Sequence, residues 1–206
     1  MNILYLITAI ALWGIVHSLL ASNIVKDSTR HILGDGFMRL YRLGFNIFAV
    51  LSFLPIIYLM FTLPDRLLYS VPPPWRYLMM IGQGISALLL VVALLQTDTL
   101  SFAGLSQLFV REEKPSKLVT NGLYRYIRHP LYTFGLLLVW LSPSVSLNSF
   151  IVYLAATIYT IIGAYFEERK LLREFGQAYA EYRRVTPMLI PGLRFRGTYL
   201  SDVTHP

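Results

Sequence analysis

LYTFGLLLVWLSPSVSLNSFIVYLAATIYTIIGAYF, Leu131–Phe166, contains no Lys, Arg, Asp or Glu. It is nearly twice the ~20 residues that carry a helix across hydrocarbon. Pro143 lies inside its polar stretch Ser142–Ser146, and a proline among small polar residues ends a helix. The segment therefore predicts a helical hairpin, with a short arm of ~12 residues before the break and a longer arm of ~20 after it.

Other apolar runs extend this reading. Ile3–Ala21 and Tyr77–Gln96 are equally free of charge, and a third run covers about Leu43–Leu63, where Pro55 is expected to kink the helix. Of the 206 residues, 55% are hydrophobic and 14% charged, against roughly 25% charged in soluble domains. Backbone groups in lipid must be satisfied internally, which leaves helices or a closed barrel. Long runs without alternation select helices. The expected fold is an all-α integral membrane protein with five transmembrane helices, the last two forming the hairpin. Residues 1–206 read as one membrane domain, with spans one and two (1–75) peripheral to a core at 76–206. The first run lacks a basic leader and is interrupted by Trp13 and His17, so it reads as a retained span rather than a cleaved signal.

Charge orients the spans. Lys26, Arg30, Arg39 and Arg42 lie between spans one and two, and Arg111, Lys114, Lys117, Arg125 and Arg128 between three and four. Arg169, Lys170, Arg173, Arg183, Arg184, Arg194 and Arg196 follow span five. Only Arg66 and Arg76 of the 18 Lys and Arg remain for the other face. The positive-inside rule then predicts the N-terminus outside and the C-terminus in the cytoplasm. The polar residues from about Phe109 onward put the working end on the cytoplasmic side. The net charge of +7 suits an anionic membrane face. Nucleic acid is not an expected partner, because the cations flank the spans. The absence of cysteine removes disulfides, a thiol nucleophile and Cys-based metal sites.

Three clusters could carry chemistry. The first is Gly122–Tyr132, where Arg125, Arg128 and His129 abut the short arm. It fits an ordinary membrane boundary, with snorkelling cations and belt tyrosines. Yet ~12 residues rise only ~18 Å against a ~30 Å hydrocarbon core. Polar backbone at that depth requires a protein-lined cavity, so Tyr124, Arg128, His129 and Tyr132 are expected to line one. The second is FEERKLLREFG, Phe166–Gly176. Glu167 and Glu168 could be a solvated helix surface, with Glu168 meeting Lys170 or Arg173. They also leave span five where the hairpin returns to the level of His129, and so could face the same cavity. The third, YAEYRRVTPMLIP at Tyr179–Pro191, fits either a surface anchor or a lid. His17 is expected to make an interhelical hydrogen bond, and His31 to face solvent. No H-x-x-E or H-x-x-x-H pair is present, so no metal is expected.

The motif G-L-Y-x-x-x-R-H-P-x-Y at Gly122–Tyr132, with E-E-x-x-L-x-x-x-F-G-x-x-Y-x-x-Y at Glu167–Tyr182 beyond the hairpin, closely resembles the isoprenylcysteine carboxyl methyltransferase family. That superfamily includes phospholipid N-methyltransferases and bacterial thiol S-methyltransferases. The resemblance covers roughly Val119–Pro191. W-G-x-x-H-S-L-L-A-S at Trp13–Ser22 is similar to bacterial membrane relatives, including thiol methyltransferases and proteins linked to nitrogen-oxide metabolism. The resemblance implies S-adenosylmethionine as cofactor, held by Leu123, Tyr124, His129, Pro130, Tyr132, Glu167 and Glu168. It also implies Arg128, Glu168 and Arg184 as catalytic residues, and a lipophilic or membrane-partitioning acceptor at the cytoplasmic face of a bacterial inner membrane.

One departure bears on the acceptor. The carboxyl methyltransferases carry an arginine just before a Val-Pro pair. With Pro187 and Pro191 as anchors, Val185 occupies that place and Arg184 stands one residue early. This raises thiol S-methylation against carboxyl methylation. Phospholipid or amine N-methylation, a related membrane reductase using a nicotinamide cofactor, and a non-enzymatic protein with a degenerate site remain as alternatives.

Overall fold

The structure, a computed structural model, describes residues 2–97 and 117–192. Phe109, Arg111, Lys114, Arg194 and Arg196, used in the orientation argument, lie outside the described residues. Among the described residues the α-helices are α1 (Asn2–Ala21), α2 (Asn23–Thr62), α3 (Trp75–Leu95), α4 (Pro130–Trp140) and α5 (Leu147–Val185). Among the described residues, four helical stretches are long and apolar enough to cross a membrane: Ile3–Ala21, Leu40–Thr62, Trp75–Leu95 and Leu147–Val185. Their faces are largely exposed; Leu54, Ile81 and Leu88 are all more than half exposed. Continuous apolar exposure on this scale needs lipid around it.

α4 has 11 residues and rises only ~16 Å, as expected of the short arm. It packs on α3, where Gln83 Nε2 donates to the Leu138 carbonyl at 2.8 Å. A small core of Leu6, Ile56 and Val152 ties α1, α2 and α5 together.

The fold is all-helical apart from one short ribbon that the sequence reading did not anticipate. Leu67–Ser70 (β1) and Ser144–Ser146 (β2) pair antiparallel, with Leu67 opposite Ser146 and Ser70 opposite Ser144. Proline in the hairpin turn halts the helix and leaves extended backbone, and the loop after α2 supplies its partner edge. Val71 N–H donates to the Pro143 carbonyl and Leu147 N–H to that of Arg66, both at 2.8 Å. Asp65 accepts from the Asn148 N–H at the start of α5.

The basic link between spans one and two is helical. Ser22 caps α2 by accepting from Val25 N–H at 3.3 Å, the backbone leaves helical angles at Gly34 (φ 76°), and Pro55 lies inside the helix. One expectation needs correction, the interhelical hydrogen bond of His17. Its Nδ1 is buried with no hydrogen-bond partner among the described residues, and its ring instead stacks on Trp13 at 4.7 Å. His31 is exposed, as expected.

Candidate active site

The site is built where α3 ends, α4 begins and α5 passes, at the end of these helices opposite the β-ribbon. Gln96, just beyond α3, accepts through Oε1 from Leu123 N–H at 2.8 Å. This fixes a 3₁₀ turn, Gly122–Arg125, that carries Tyr124. Gly122 has φ +59°, and a Cβ there would collide with the Gln96 side chain, so the turn requires glycine. Pro130 is buried at the first turn of α4, where its missing N–H costs nothing. Arg128 and His129 N–H groups donate to the carbonyls of Pro187 and Met188, at 2.9 and 3.2 Å. Thr133 Oγ1 donates to that of Leu189 at 2.7 Å. The third cluster is thereby strapped along the first.

A break in α5 makes the rest possible. Gly176 has φ 53° and ψ −127°, a combination open to glycine. In a straight helix Glu168 and Arg183 would stand ~22 Å apart along the axis. Instead Arg183 Nε lies 3.3 Å from Glu168 Oε2. The turns after Gly176 fold back over the site, and Tyr182 donates its hydroxyl hydrogen to the Tyr124 carbonyl.

The adjacent glutamates divide their partners. Glu168 is buried and accepts from Arg128 Nε at 2.6 Å, with Arg128 Nη2 at 2.5 Å. Arg128 Nη1 donates to the carbonyls of Arg183 and Thr186. A buried arginine satisfied in this way joins α4's entry to the end of α5. Glu167 is half-exposed and accepts from the Tyr132 hydroxyl at 2.7 Å. His129 lies between them: Nδ1 is 3.5 Å from Glu167 Oε2, and Nε2 is 3.5 Å from Glu168 Oε1. Its ring stacks on Tyr132 at 5.3 Å with 10° between planes.

Nε2 is buried and makes no hydrogen bond of good geometry among the described residues, so its contact with Glu168 is a loose ion pair. Burial pushes the His129 pKa down. The glutamates push it up more strongly, and the net shift is above the ordinary 6.5. Burial, aided by Glu167, pushes the Tyr124 phenol up to about 12.

These residues border a cavity of about 460 Å³, within the usual range for a small-molecule site. Leu90, Leu94, Leu131, Leu171 and Phe175 form its apolar wall; Tyr124, Arg128, His129, Tyr132 and Glu167 form its polar wall. Tyr179 and Tyr182 border it from beyond the break, and Thr97 and Lys117 also contribute.

The five residues of the polar wall were all legible as candidates, and they converge. Glu168 stands behind that wall, paired with Arg128. Leu123 and Pro130 are not among the lining residues; they act here through backbone and ring geometry. Arg184 is exposed, and the inward cation is its neighbour Arg183. Gln96 went unsuspected because a polar residue at a span's end reads as a boundary. Tyr179 stood in the quoted motif without a role.

Residues 77–178 match the phospholipid methyltransferase family. The chain is 39% identical over 100 residues to methanethiol S-methyltransferase 2 of Bradyrhizobium diazoefficiens, covering 47% of this chain and 39% of that one. It is 32% identical over 128 residues to a methanethiol S-methyltransferase of Crocosphaera subtropica, covering 57% and 50%. It is 32% identical over 87 residues to a protein-S-isoprenylcysteine O-methyltransferase of Schizosaccharomyces pombe, covering 39% and 36%. The matched region thus spans half or less of each of these relatives. No solved structure matches the chain.

Proposed function

We propose that this chain, whose residues 77–178 match the phospholipid methyltransferase family, transfers a methyl group from S-adenosylmethionine to a small thiol at the cytoplasmic face of a bacterial inner membrane. The observation that carries this reading is His129, held between Glu167 and Glu168 in a cavity that leucines and Phe175 also line.

The polar wall suits the cofactor's groups. Glu167 offers a carboxylate to an ammonium or a ribose diol, and buried His129 Nε2 has hydrogen-bonding capacity unused by the described residues. Tyr124 and Tyr132 offer aromatic surface and edges. Bound S-adenosylmethionine supplies a methyl group already activated as a sulfonium. The chain's own work is then alignment and exclusion of water by the apolar wall. A thiol must also lose its proton, and the Glu167 carboxylate is the base at hand.

The thiol is preferred over a carboxylate for two reasons. Arg184, the nearest substitute for the family arginine, is exposed, and Arg128 is neutralised by Glu168. Several relatives are also named as methanethiol S-methyltransferases. A lipophilic prenylcysteine acceptor is the second reading, favoured by the leucines of the cavity and by the fission-yeast relative. We count α4 as a fifth, short span, with the cytoplasmic C-terminus that the basic segments imply. The lining residues all follow residue 76, which supports a core at 76–206 flanked by α1 and α2.

Purified protein in detergent, given radiolabelled S-adenosylmethionine with thiol, prenylcysteine and amine acceptors in parallel, tests the reading. Label should appear chiefly on the thiol. Label on the prenylcysteine carboxylate selects the second reading, and label on no acceptor defeats both.

A further inference from the structure

Tyr179 is 1% exposed, and its hydroxyl has no hydrogen-bond partner among the described residues. Burying a hydroxyl without a partner costs free energy, and a phenylalanine would fill almost the same volume without that cost. The neighbouring tyrosines differ: Tyr182 donates to the Tyr124 carbonyl and Tyr132 to Glu167. Tyr179 also borders the cavity. Its ring is fixed edge-on to Tyr182, with centroids 5.9 Å apart, and its hydroxyl feels the charges of Glu168 and Arg128. The break at Gly176 folds this turn back to the polar wall, so an unsatisfied donor is held at the side where a polar ligand would be gripped.

We infer that Tyr179 is a cofactor-binding residue whose phenol hydrogen-bonds a polar group of the nucleoside cofactor. The inference rests on the methyltransferase reading and adds a contact to it. Tyr179 comes from α5, as does Glu167, the carboxylate offered to the cofactor, and both border the same cavity.

The test compares wild type with Tyr179→Phe, both as full chains in detergent. Three quantities are read: the melting temperature without ligand, the Kd for S-adenosylhomocysteine by calorimetry, and the KM for the acceptor. The variant should melt at or above the wild-type temperature and bind about 3- to 10-fold more weakly, the range for one neutral hydrogen bond. Lower melting would mean that the hydroxyl supports the fold, and would overturn the inference. So would an unchanged Kd with a raised KM for the acceptor, which would assign the hydroxyl to the other substrate. If wild type itself binds no S-adenosylhomocysteine, the methyltransferase reading falls too. If wild type binds and the variant binds equally, the inference alone falls.

Discussion

Arg183 reaches Glu168 at 3.3 Å although both lie on α5, because the helix turns back at Gly176. The contact closes the far side of the site. It also makes the position of Arg183, Tyr182 and Tyr179 depend on one backbone conformation.

Gly176→Ala should therefore damage the site from a distance. Nothing lies within 4 Å of a Cβ placed there, so the penalty is backbone strain rather than collision. Such strain costs about 1–3 kcal/mol. The expected result is a lower melting temperature and weakened binding of S-adenosylhomocysteine, although residue 176 does not line the cavity. Unchanged binding would show that the fold-back survives without glycine.

The buried pair Arg128–Glu168 should be expensive to break from one side. Glu168→Leu leaves the Arg128 guanidinium buried without its carboxylate, a loss of about 3–5 kcal/mol. Arg128→Met strands the carboxylate similarly, and also leaves the carbonyls of Arg183 and Thr186 without their donor. The double variant should recover part of the stability, because no uncompensated charge remains. Denaturation midpoints for the four proteins form the double-mutant cycle, and simple additivity would rule out coupling.

The adjacent arginines should behave oppositely. Arg184 is exposed, so Arg184→Ala should change stability by no more than about 0.5 kcal/mol and leave cofactor affinity near wild type. Arg183→Ala removes a cation from buried Glu168 and should lower both. Thermal shift with and without S-adenosylhomocysteine separates the two cases, and a larger effect at Arg184 would restore it to the site.

The contrast between these arginines marks where the sequence stops being readable. The spans were legible because a bilayer demands long uncharged runs, and the hairpin because Pro143 interrupts one of them. The cavity followed from the shortness of the arm after His129. The inward choice of Arg183 over Arg184 depends on helix phase, and Gly176 resets that phase. Glu168 pairs with Arg128 and Arg183, partners remote in sequence that the local spacing to Lys170 and Arg173 does not reveal. The β-ribbon was hidden because its two short strands are separated by α3 and α4, and neither alternates strongly enough to announce a partner.

His129 should make stability depend on pH with a definite sign. Burial opposes its protonation, but Glu167 and Glu168 favour it more, so its folded pKa lies above the ordinary 6.5. A group raised on folding binds its proton more tightly in the native state. Its contribution is complete below about pH 6.5 and is lost as pH rises through the higher folded value. The ligand-free melting temperature of wild type should therefore exceed that of His129→Gln most at about pH 6. The gap should narrow as the pH is raised above that point. Using the difference between the two proteins cancels titrations they share. A gap that widened with pH would mean that burial outweighs the two carboxylates and that the imidazole is held neutral. In that case His129 would meet its ligand as an acceptor rather than as a cation.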